Sequence, residues 1–240
     1  MNNRSNNNEY MTLYNKDHLD EIPIFMINMA EREERKERAI RELDRNDLRV
    51  TFIEAVDGRH LDLDDLYNRG IIEDDPMDKP LRRGQIGCYL SHLKCWDKIL
   101  ETGKEYGLVL EDDAYFKRNF RKKFNDVFNE LKYHDWDIIN LGRRCDPYWF
   151  NGADCTDGDF IYSMGGVHAF YPRILGYGAH AYVIKRSTIE KLLKITYPIM
   201  RPIDVVIPDE YEKKNINVIS FLKELVTVFD VDDSDTMEIE

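Results

Sequence analysis

The chain has 240 residues, a formal net charge of −12 and 42% hydrophobic residues. The length suits one domain of ordinary size, and the hydrophobic share is enough for a sizeable core. The negative charge argues against a nucleic-acid partner, because phosphate backbones bind basic surfaces. A nucleotide is not excluded, since one metal ion and a few arginines can hold it.

The two ends of the chain differ in composition from its centre. Residues 1–20 are rich in asparagine and residues 230–240 are acidic. Both are predicted to be tails, the first disordered and the second solvated, around a single domain at residues 21–229. The beginning lacks the apolar core of a signal peptide, and no stretch has the roughly 18–20 apolar residues of a membrane span. The sequence therefore predicts a cytoplasmic protein without a membrane span, of a kind that would suit a bacterium or a large DNA virus.

Strands and helices alternate along the chain. Short apolar runs predict buried strands at residues 22–29, 50–56, 106–110, 136–141, 179–185 and 215–220. Apolar residues spaced three and four apart predict helices at residues 31–46, 84–103, 120–132 and 187–195. This order predicts an α/β domain with a mostly parallel sheet. Residues 60–80 and 142–177 are predicted to be irregular, and the second segment to have a binding function.

The cysteines do not favour a metal centre. None of Cys88, Cys95, Cys145 and Cys155 forms a C-x-x-C pair, so a zinc site is not predicted. Cys88 and Cys95 lie in a helical pattern and are interpreted as small core residues. A disulfide between Cys145 and Cys155 is compatible with the sequence but not required by it.

The segment GLVLEDDAYF, residues 107–116, carries a chemical signal. Its apolar strand ends in Glu111, Asp112 and Asp113, and ligands of open α/β sheets lie beyond the carboxyl ends of strands. The alternation of an extended segment places Glu111 and Asp113 on the same side. Two such carboxylates suit Mg²⁺ or Mn²⁺, and the metal would then neutralise a diphosphate. The alternative is a solvated acidic turn.

Seven segments, in this order, resemble those of glycosyltransferase family 25, which contains lipooligosaccharide and collagen hydroxylysine glycosyltransferases. They are MINMAEREERKERA, FIEAVDG, RRGQIGCYLSHLKCWDKIL, GLVLEDDAYF, WDIINLG, GAHAYVIKRSTIEKLL and RPID, and together they cover about residues 23–204. Gln85 stands where the family often has Glu, and the region after Asp204 matches poorly. These departures bear on acceptor recognition more than on donor binding.

The resemblance implies a GT-A fold, which is a Rossmann-like α/β fold with a mostly parallel central sheet flanked by helices. The three carboxylates would stand in the place of the family's D-x-D motif. Asp113 and Glu111 are then the expected ligands of Mn²⁺ or Mg²⁺, and Asp112 would reach hydroxyls of the donor ribose or sugar. His180 is a candidate third ligand, with a buried structural histidine as the alternative.

The resemblance also places residues of the first two strand ends near a UDP-sugar donor. Asn28 ends the first strand, and Arg32 and Arg35 follow it close to the nucleoside. For the arginines, a charged helix face is the alternative. Asp57 of the AVDG segment would accept the uracil N–H, or would simply form an Asp-Gly turn.

Ser91 and His92 lie inside an otherwise apolar helix, where polar groups cost free energy unless they are paired. They are predicted either to lie near the donor or to form a satisfied structural pair. The inverting chemistry that the resemblance implies needs a carboxylate base for the acceptor hydroxyl. Asp204 is the first candidate and Asp209 the second, on a segment whose two prolines predict a rigid, non-helical conformation.

The resemblance therefore predicts the metal-assisted transfer of a hexose, with galactose or glucose first, from a UDP-sugar to a hydroxyl group with inversion. The acceptor would be a glycan or a hydroxylysine-bearing protein, and a homodimer is compatible with this function. One alternative is an inactive relative that binds a nucleotide-sugar or a glycan. A metal-dependent phosphoryl transferase is less favoured, because the first strand lacks the D-x-D-x-T context of its nucleophile.

Overall fold

A computed structural model describes residues 17–143 and 154–229. The strands are β1 Ile24–Asn28, β2 Thr51–Glu54, β3 Tyr106–Glu111, β4 Ala114–Phe116, β5 Ile138–Asn140, β6 Gly158–Met164, β7 Val167–Pro172, β8 Ala181–Lys185, β9 Val218–Phe221 and β10 Val226–Val228. The α-helices are α1 Glu33–Arg45, α2 Leu63–Asn68, α3 Arg83–Thr102, α4 Phe120–Leu131, α5 Arg186–Leu192 and α6 Ile203–Glu212. Within the described ranges, no helix is both long enough and apolar enough to cross a membrane.

Eight of the strands form one sheet in the order β2-β1-β3-β8-β5-β9-β7-β6. β1 pairs in parallel with β2 and β3, and β5 pairs in parallel with β9. β8 and β7 are each antiparallel to both of their neighbours. Six of the eight strands therefore point the same way, which confirms the predicted α/β class and mostly parallel sheet.

The reversed direction of β8 matters for the edge of the sheet at which β1, β2 and β3 end. Because β8 runs against β3, the residue before β8 lies beside the last residue of β3. The backbone N–H of Glu111 donates to the carbonyl of His180 at 2.9 Å. Two segments that are far apart in the sequence therefore meet at this edge.

The sheet separates two hydrophobic cores. On one face, Met26 of β1 packs with the aromatic stripe of α4, where the rings of Phe124 and Phe128 stack with centroids 5.2 Å apart. On the other face, Phe25 of β1 packs with α3, whose Trp96 is almost fully buried. The alternation of side chains along an extended strand produces this division.

The prediction of an irregular segment at residues 142–177 is wrong for its second half. β6 and β7 form an antiparallel hairpin in which Met164 pairs with Val167. Gly165 and Gly166 between them have φ of 60° and 76°, and two positive φ angles in a two-residue loop suit the twist of paired strands. Residues 144–153, including Cys145, lie outside the described residues, and Cys155 is disulfide-bonded.

The prediction of a non-helical conformation around Asp204 is also wrong, because this residue lies in the first turn of α6. Pro208 lies inside the helix and lacks the N–H that would bond to the carbonyl of Asp204. The first turn is nevertheless held by two hydrogen bonds, because the backbone N–H groups of Val205 and Val206 both donate to the carbonyl of Pro202 at 3.0 Å. One missing hydrogen bond therefore does not end the helix.

Asp137 is a buried carboxylate that joins the start of β5 to its neighbours. It accepts hydrogen bonds from the Thr188 hydroxyl at 2.7 Å, from the Lys191 ammonium at 3.0 Å and from the Asn217 backbone N–H at 2.9 Å. Burial alone would raise the pKa of Asp137, but these donors outweigh it and hold the pKa below its ordinary value.

Asp137→Asn is expected to lower the free energy of unfolding at pH 7 by about 1–3 kcal/mol, because a neutral amide cannot satisfy all three donors. The lowered pKa makes this stabilisation complete above about pH 4, and it is lost as the pH falls through the native pKa. The difference between variant and wild type in urea unfolding should therefore shrink at lower pH. Asp135→Asn is the control, since the carboxylate of Asp135 is exposed and accepts a hydrogen bond from the side chain of Asn217 at 2.8 Å. Equal losses in both variants would contradict the assignment.

Candidate functional site

A cleft with an enclosed volume of about 90 Å³ opens at the edge of the sheet where β1 and β3 end. Seven of the predicted site residues line it, namely Asn28, Arg35, Ser91, His92, Glu111, Asp112 and Asp113. A larger groove at the opposite edge of the sheet, around Pro23 and Lys98, contains no predicted site residue among those described. The chemistry of the side chains therefore favours the smaller cleft.

Asp112 and Asp113 are buried beside a compensating positive charge. The Arg35 guanidinium, itself 5% exposed, lies 2.6 Å from Asp112 and 3.6 Å from Asp113. The second oxygen of Asp112 accepts a hydrogen bond from the Asn28 amide at 2.7 Å. Three adjacent carboxylates are tolerated here because Arg35 and Asn28 bind the middle one, Asp112. The ion pair between Arg35 and Asp112 also anchors the start of α1 to the end of β3.

Glu111 differs from the two aspartates because 30% of its side chain is exposed. Its carboxylate lies 3.4 Å from Nε2 of His92. Desolvation would raise the pKa of Glu111, but the His92 contact, with help from His180 and Arg35, lowers it below the ordinary value. Glu111 therefore presents an ionised carboxylate to the cleft at neutral pH.

The ring of His92 is fixed from behind by two buried aromatic side chains. The Trp96 indole N–H donates to the Tyr182 hydroxyl oxygen at 2.9 Å, and the same hydroxyl bonds to Nδ1 of His92 at 2.9 Å. His92 and Tyr182 are 0% and 2% exposed. Tyr182 could not be predicted as a site residue, because a tyrosine in an apolar strand has no local signal beyond its hydroxyl.

Ser91 connects α3 to the loop after β2. Its hydroxyl donates to the carbonyl of Gly87 at 2.7 Å and accepts from the backbone N–H of Val56 at 2.8 Å. A Cβ at Gly87 would overlap the carbonyl of Val56, so the glycine permits the close approach. Ser91 thus shapes the wall of the cleft through the backbone that it holds.

Asp57 and Arg32 do not line the cleft within the described part of the chain. Asp57 accepts from the backbone N–H of Arg59 at 2.9 Å and forms an ion pair with its guanidinium, which lowers the pKa of Asp57. Arg32 precedes α1 and lies 3.9 Å from Glu34. Their roles toward a nucleoside stay predictions.

Two further predicted site residues do not line the cleft: His180 lies beside Glu111, and Asp204 lies in the first turn of α6. His180 is 5% exposed, and its Nε2 faces Gly142, where any Cβ would overlap it. Burial raises the pKa of the Cys88 thiol, and the carboxylates of Glu111, Asp204 and Asp113 raise it further. The helix α6, which carries Asp204 in its first turn, packs against α3.

Two groups of three potential metal ligands occur among the residues that the structure describes. Their ligand atoms lie within 4.8 Å of one another in each group. The groups are Cys88, His92 and Glu111 in the cleft, and Glu31, Asp57 and His60 at the surface. The predicted ligand set of Glu111, Asp113 and His180 is not such a group among the residues that the structure describes. This set stays a prediction.

A family model described as glycosyltransferase family 25 (LPS biosynthesis protein) matches residues 21–207. The chain belongs to glycosyltransferase family 25. The family match spans the cleft, from the end of β1 to the first turn of α6.

The family's curated members include animal enzymes that are much longer than this chain. Procollagen galactosyltransferase 1 of Danio rerio is 30% identical over 202 residues, which are 80% of this chain and 32% of that protein. Procollagen galactosyltransferase 2 of Homo sapiens is 30% identical over 79% of this chain and 30% of that protein. The chain therefore spans about a third of the length of these relatives.

The family also includes proteins that are named as inactive. A Mus musculus relative named inactive glycosyltransferase 25 family member 3 is 31% identical over 50% of this chain and 22% of that protein. Among solved structures, a glycosyltransferase involved in the glycosylation of the major capsid of PBCV-1 aligns with 90% of this chain and 95% of its own. Its TM-score is 0.46 and its identity 10%.

Proposed function

We propose that this chain is a metal-assisted, inverting hexosyltransferase that moves galactose or glucose from a UDP-sugar to a hydroxyl group. The observation that carries the proposal is the carboxylate series at the end of β3. Arg35 compensates two of its members, and the series faces a cleft at the sheet edge where α/β proteins bind ligands. Membership of glycosyltransferase family 25 supports it.

The donor atoms in the cleft fit a hard divalent cation. Glu111 and Asp113 offer carboxylate oxygens at the cleft wall, which Mn²⁺ and Mg²⁺ prefer. These two residues would hold the ion, with His180 as the third candidate. The bound ion would supply Lewis-acid stabilisation of the departing diphosphate.

The chain's own residues prepare the site before any ligand binds. Arg35 and Asn28 hold Asp112 through both of its oxygens. His92 holds Glu111 and is itself held by Tyr182. Polar groups that are already oriented need no reorganisation during the reaction, which favours the transition state.

Asp204 is the proposed general base. Its carboxylate would accept the proton of the acceptor hydroxyl while that oxygen attacks the anomeric carbon and the bond to the diphosphate breaks. Asp204 lies in the first turn of α6, where a negative charge is favourable. Asp209 forms an ion pair with Arg201 and lines a separate pocket with Tyr89, so the geometry favours Asp204.

The acceptor is proposed from the names of the relatives. The procollagen galactosyltransferases suggest a hydroxylysine-bearing protein, and the family description suggests a glycan of lipopolysaccharide. Each offers a hydroxyl group to an activated sugar. The second candidate function is binding without catalysis, which the inactive mouse relative favours.

A thermal-shift panel tests the donor class. UDP-, GDP- and CMP-sugars are compared with and without Mn²⁺, and only UDP-sugars with Mn²⁺ are expected to stabilise the protein. Ligand at 100 times its dissociation constant should add about 2.7 kcal/mol to the free energy of unfolding. Stabilisation by none of them would contradict the proposal, and UDP-sugar binding without UDP release on either acceptor class would favour the non-catalytic function.

Tyr182→Phe should weaken UDP binding in Mn²⁺ by about 10-fold, because loss of a group that orients a site residue commonly costs this much. The change removes the hydroxyl that joins Trp96 to His92, so the carboxylate of Glu111 loses its fixed partner. Titration calorimetry measures the effect. Tyr171→Phe is the control, because the Tyr171 hydroxyl bonds the Asp135 carbonyl in an exposed position. An unchanged affinity in Tyr182→Phe would show that His92 does not need this support.

A further inference from the structure

Three different ligand types converge in one wall of the cleft. Cys88 and His92 are four residues apart on α3, so they lie on the same face of the helix. Glu111 approaches from the end of β3, and the sulfur, nitrogen and oxygen atoms lie within 4.8 Å of one another. A helix and a central strand therefore present a sulfur, a nitrogen and an oxygen ligand to one point.

We propose that Cys88, His92 and Glu111 form a binding site for a thiophilic divalent cation of the Zn²⁺ class. Zn²⁺ binds thiolate, imidazole and carboxylate ligands together, and three protein ligands leave a fourth position open. Hard cations such as Mg²⁺ and Mn²⁺ prefer oxygen ligands. The site therefore differs in chemistry from the one formed by Glu111 and Asp113. The sequence alone does not indicate this site, because its ligands come from two elements and not from a C-x-x-C pair.

The surroundings of His92 support this assignment. Metal-binding histidines are usually oriented by a hydrogen bond to the other ring nitrogen. Nδ1 of His92 has such a partner in Tyr182, and Nε2 is the atom directed to Glu111 at 3.4 Å. A cation on Nε2 requires the imidazole proton on Nδ1, and the Tyr182 oxygen has a lone pair to accept it.

Binding at this site exchanges a proton for the cation. The metal replaces the thiol proton of Cys88, and that proton is released to solvent. The site then has one thiolate and one carboxylate as anionic ligands and a neutral imidazole.

Glu111 belongs to both cation sites, so the two cations should exclude each other. Zn²⁺ would then weaken the Mn²⁺-dependent binding of UDP. This competition rests on the proposed function, whereas binding of the thiophilic cation does not.

Co²⁺ titration of the full chain tests the site directly, because thiolate ligation to Co²⁺ gives a near-ultraviolet charge-transfer band. The wild type should show a saturable band that Zn²⁺ removes and Mg²⁺ does not. Cys88→Ser should lose the band. Cys95→Ser should keep it, since Cys95 is a buried free cysteine on the same helix outside the ligand group. Absence of the band in the wild type, or its survival in Cys88→Ser, would overturn the proposal.

A second variant keeps the test decisive if Cys88→Ser does not fold. Glu111→Gln should retain the thiolate band and bind Co²⁺ at least about 10-fold more weakly, as expected for an altered ligand. An unchanged Co²⁺ affinity would remove Glu111 from the site. UDP titrations in Mn²⁺ on the wild-type protein separate the two proposals. A missing Co²⁺ band with intact UDP binding refutes the thiophilic site alone, and a band without any UDP binding refutes the proposed function alone. UDP affinity that Zn²⁺ does not change would refute the competition.

Discussion

Asp113→Ala is expected to weaken UDP binding in Mn²⁺ by more than about 100-fold, which exceeds the usual cost of losing an outer-sphere group. The substitution removes one of the two oxygen ligands proposed for the ion. The protein should remain folded, because Arg35 keeps its closer partner, Asp112, at 2.6 Å. Titration calorimetry with UDP and Mn²⁺ measures the affinity, and circular dichroism measures the fold.

The control for this experiment is Asp64→Ala, which removes an exposed carboxylate from the first turn of α2. It tests whether the loss of any negative charge changes UDP binding. Equal UDP affinity in Asp113→Ala and wild type would refute the carboxylate assignment. A loss of affinity that is the same with and without Mn²⁺ would show that Asp113 contacts the nucleotide rather than a metal.

Asp204→Asn should reduce the turnover number by about 10²- to 10⁴-fold, the usual contribution of a general base. The affinity for UDP in Mn²⁺ should not change, because the proposed donor contacts come from the strand ends and α3. The measurements are UDP release with an acceptor and UDP binding without one. A loss confined to turnover would identify a residue that acts on the acceptor.

Asp209→Asn is the matched variant, since Asp209 lies one and a half turns further along α6 and is held by Arg201. It should keep its turnover. The opposite pattern, with loss in Asp209→Asn and activity in Asp204→Asn, would assign the base to the second aspartate. Near-normal turnover in both variants would exclude this helix as the source of the base.

The elements that could be predicted from the sequence are those specified by local patterns. Continuous apolar runs identified β1 and β3, and the three-four spacing identified α3 and α4. Glu111 comes last in β3, so its position at the edge of the sheet followed from the strand alone. The hairpin of β6 and β7 also had a local signal, because Gly165 and Gly166 separate two segments of strand-forming residues.

The rest of the site depends on contacts between distant segments. Nothing in the segment AHAYVIK shows whether β8 runs parallel or antiparallel to β3, yet this direction brings His180 to Glu111. The network of Trp96 and Tyr182 likewise joins a helix to a strand that lies far along the chain. His180 was predicted as a site residue from the family resemblance, whereas neither the resemblance nor a local pattern indicated Tyr182. Pro208 led to the wrong prediction of a non-helical segment, because the hydrogen bonds that hold the first turn of α6 are visible only in the structure.

The position of β8 between β3 and β5 has a consequence for biosynthesis. While a nascent chain leaves the ribosome, the long edge of β3 has no partner until residues 181–185 have emerged. Exposed strand edges are sites of aggregation, and pairing between distant segments is slow. The strand β8, which joins β3 to β5, also brings His180 to Glu111. Ligand binding should therefore arise only after β8 has emerged, and should report that β3 and β5 have been joined.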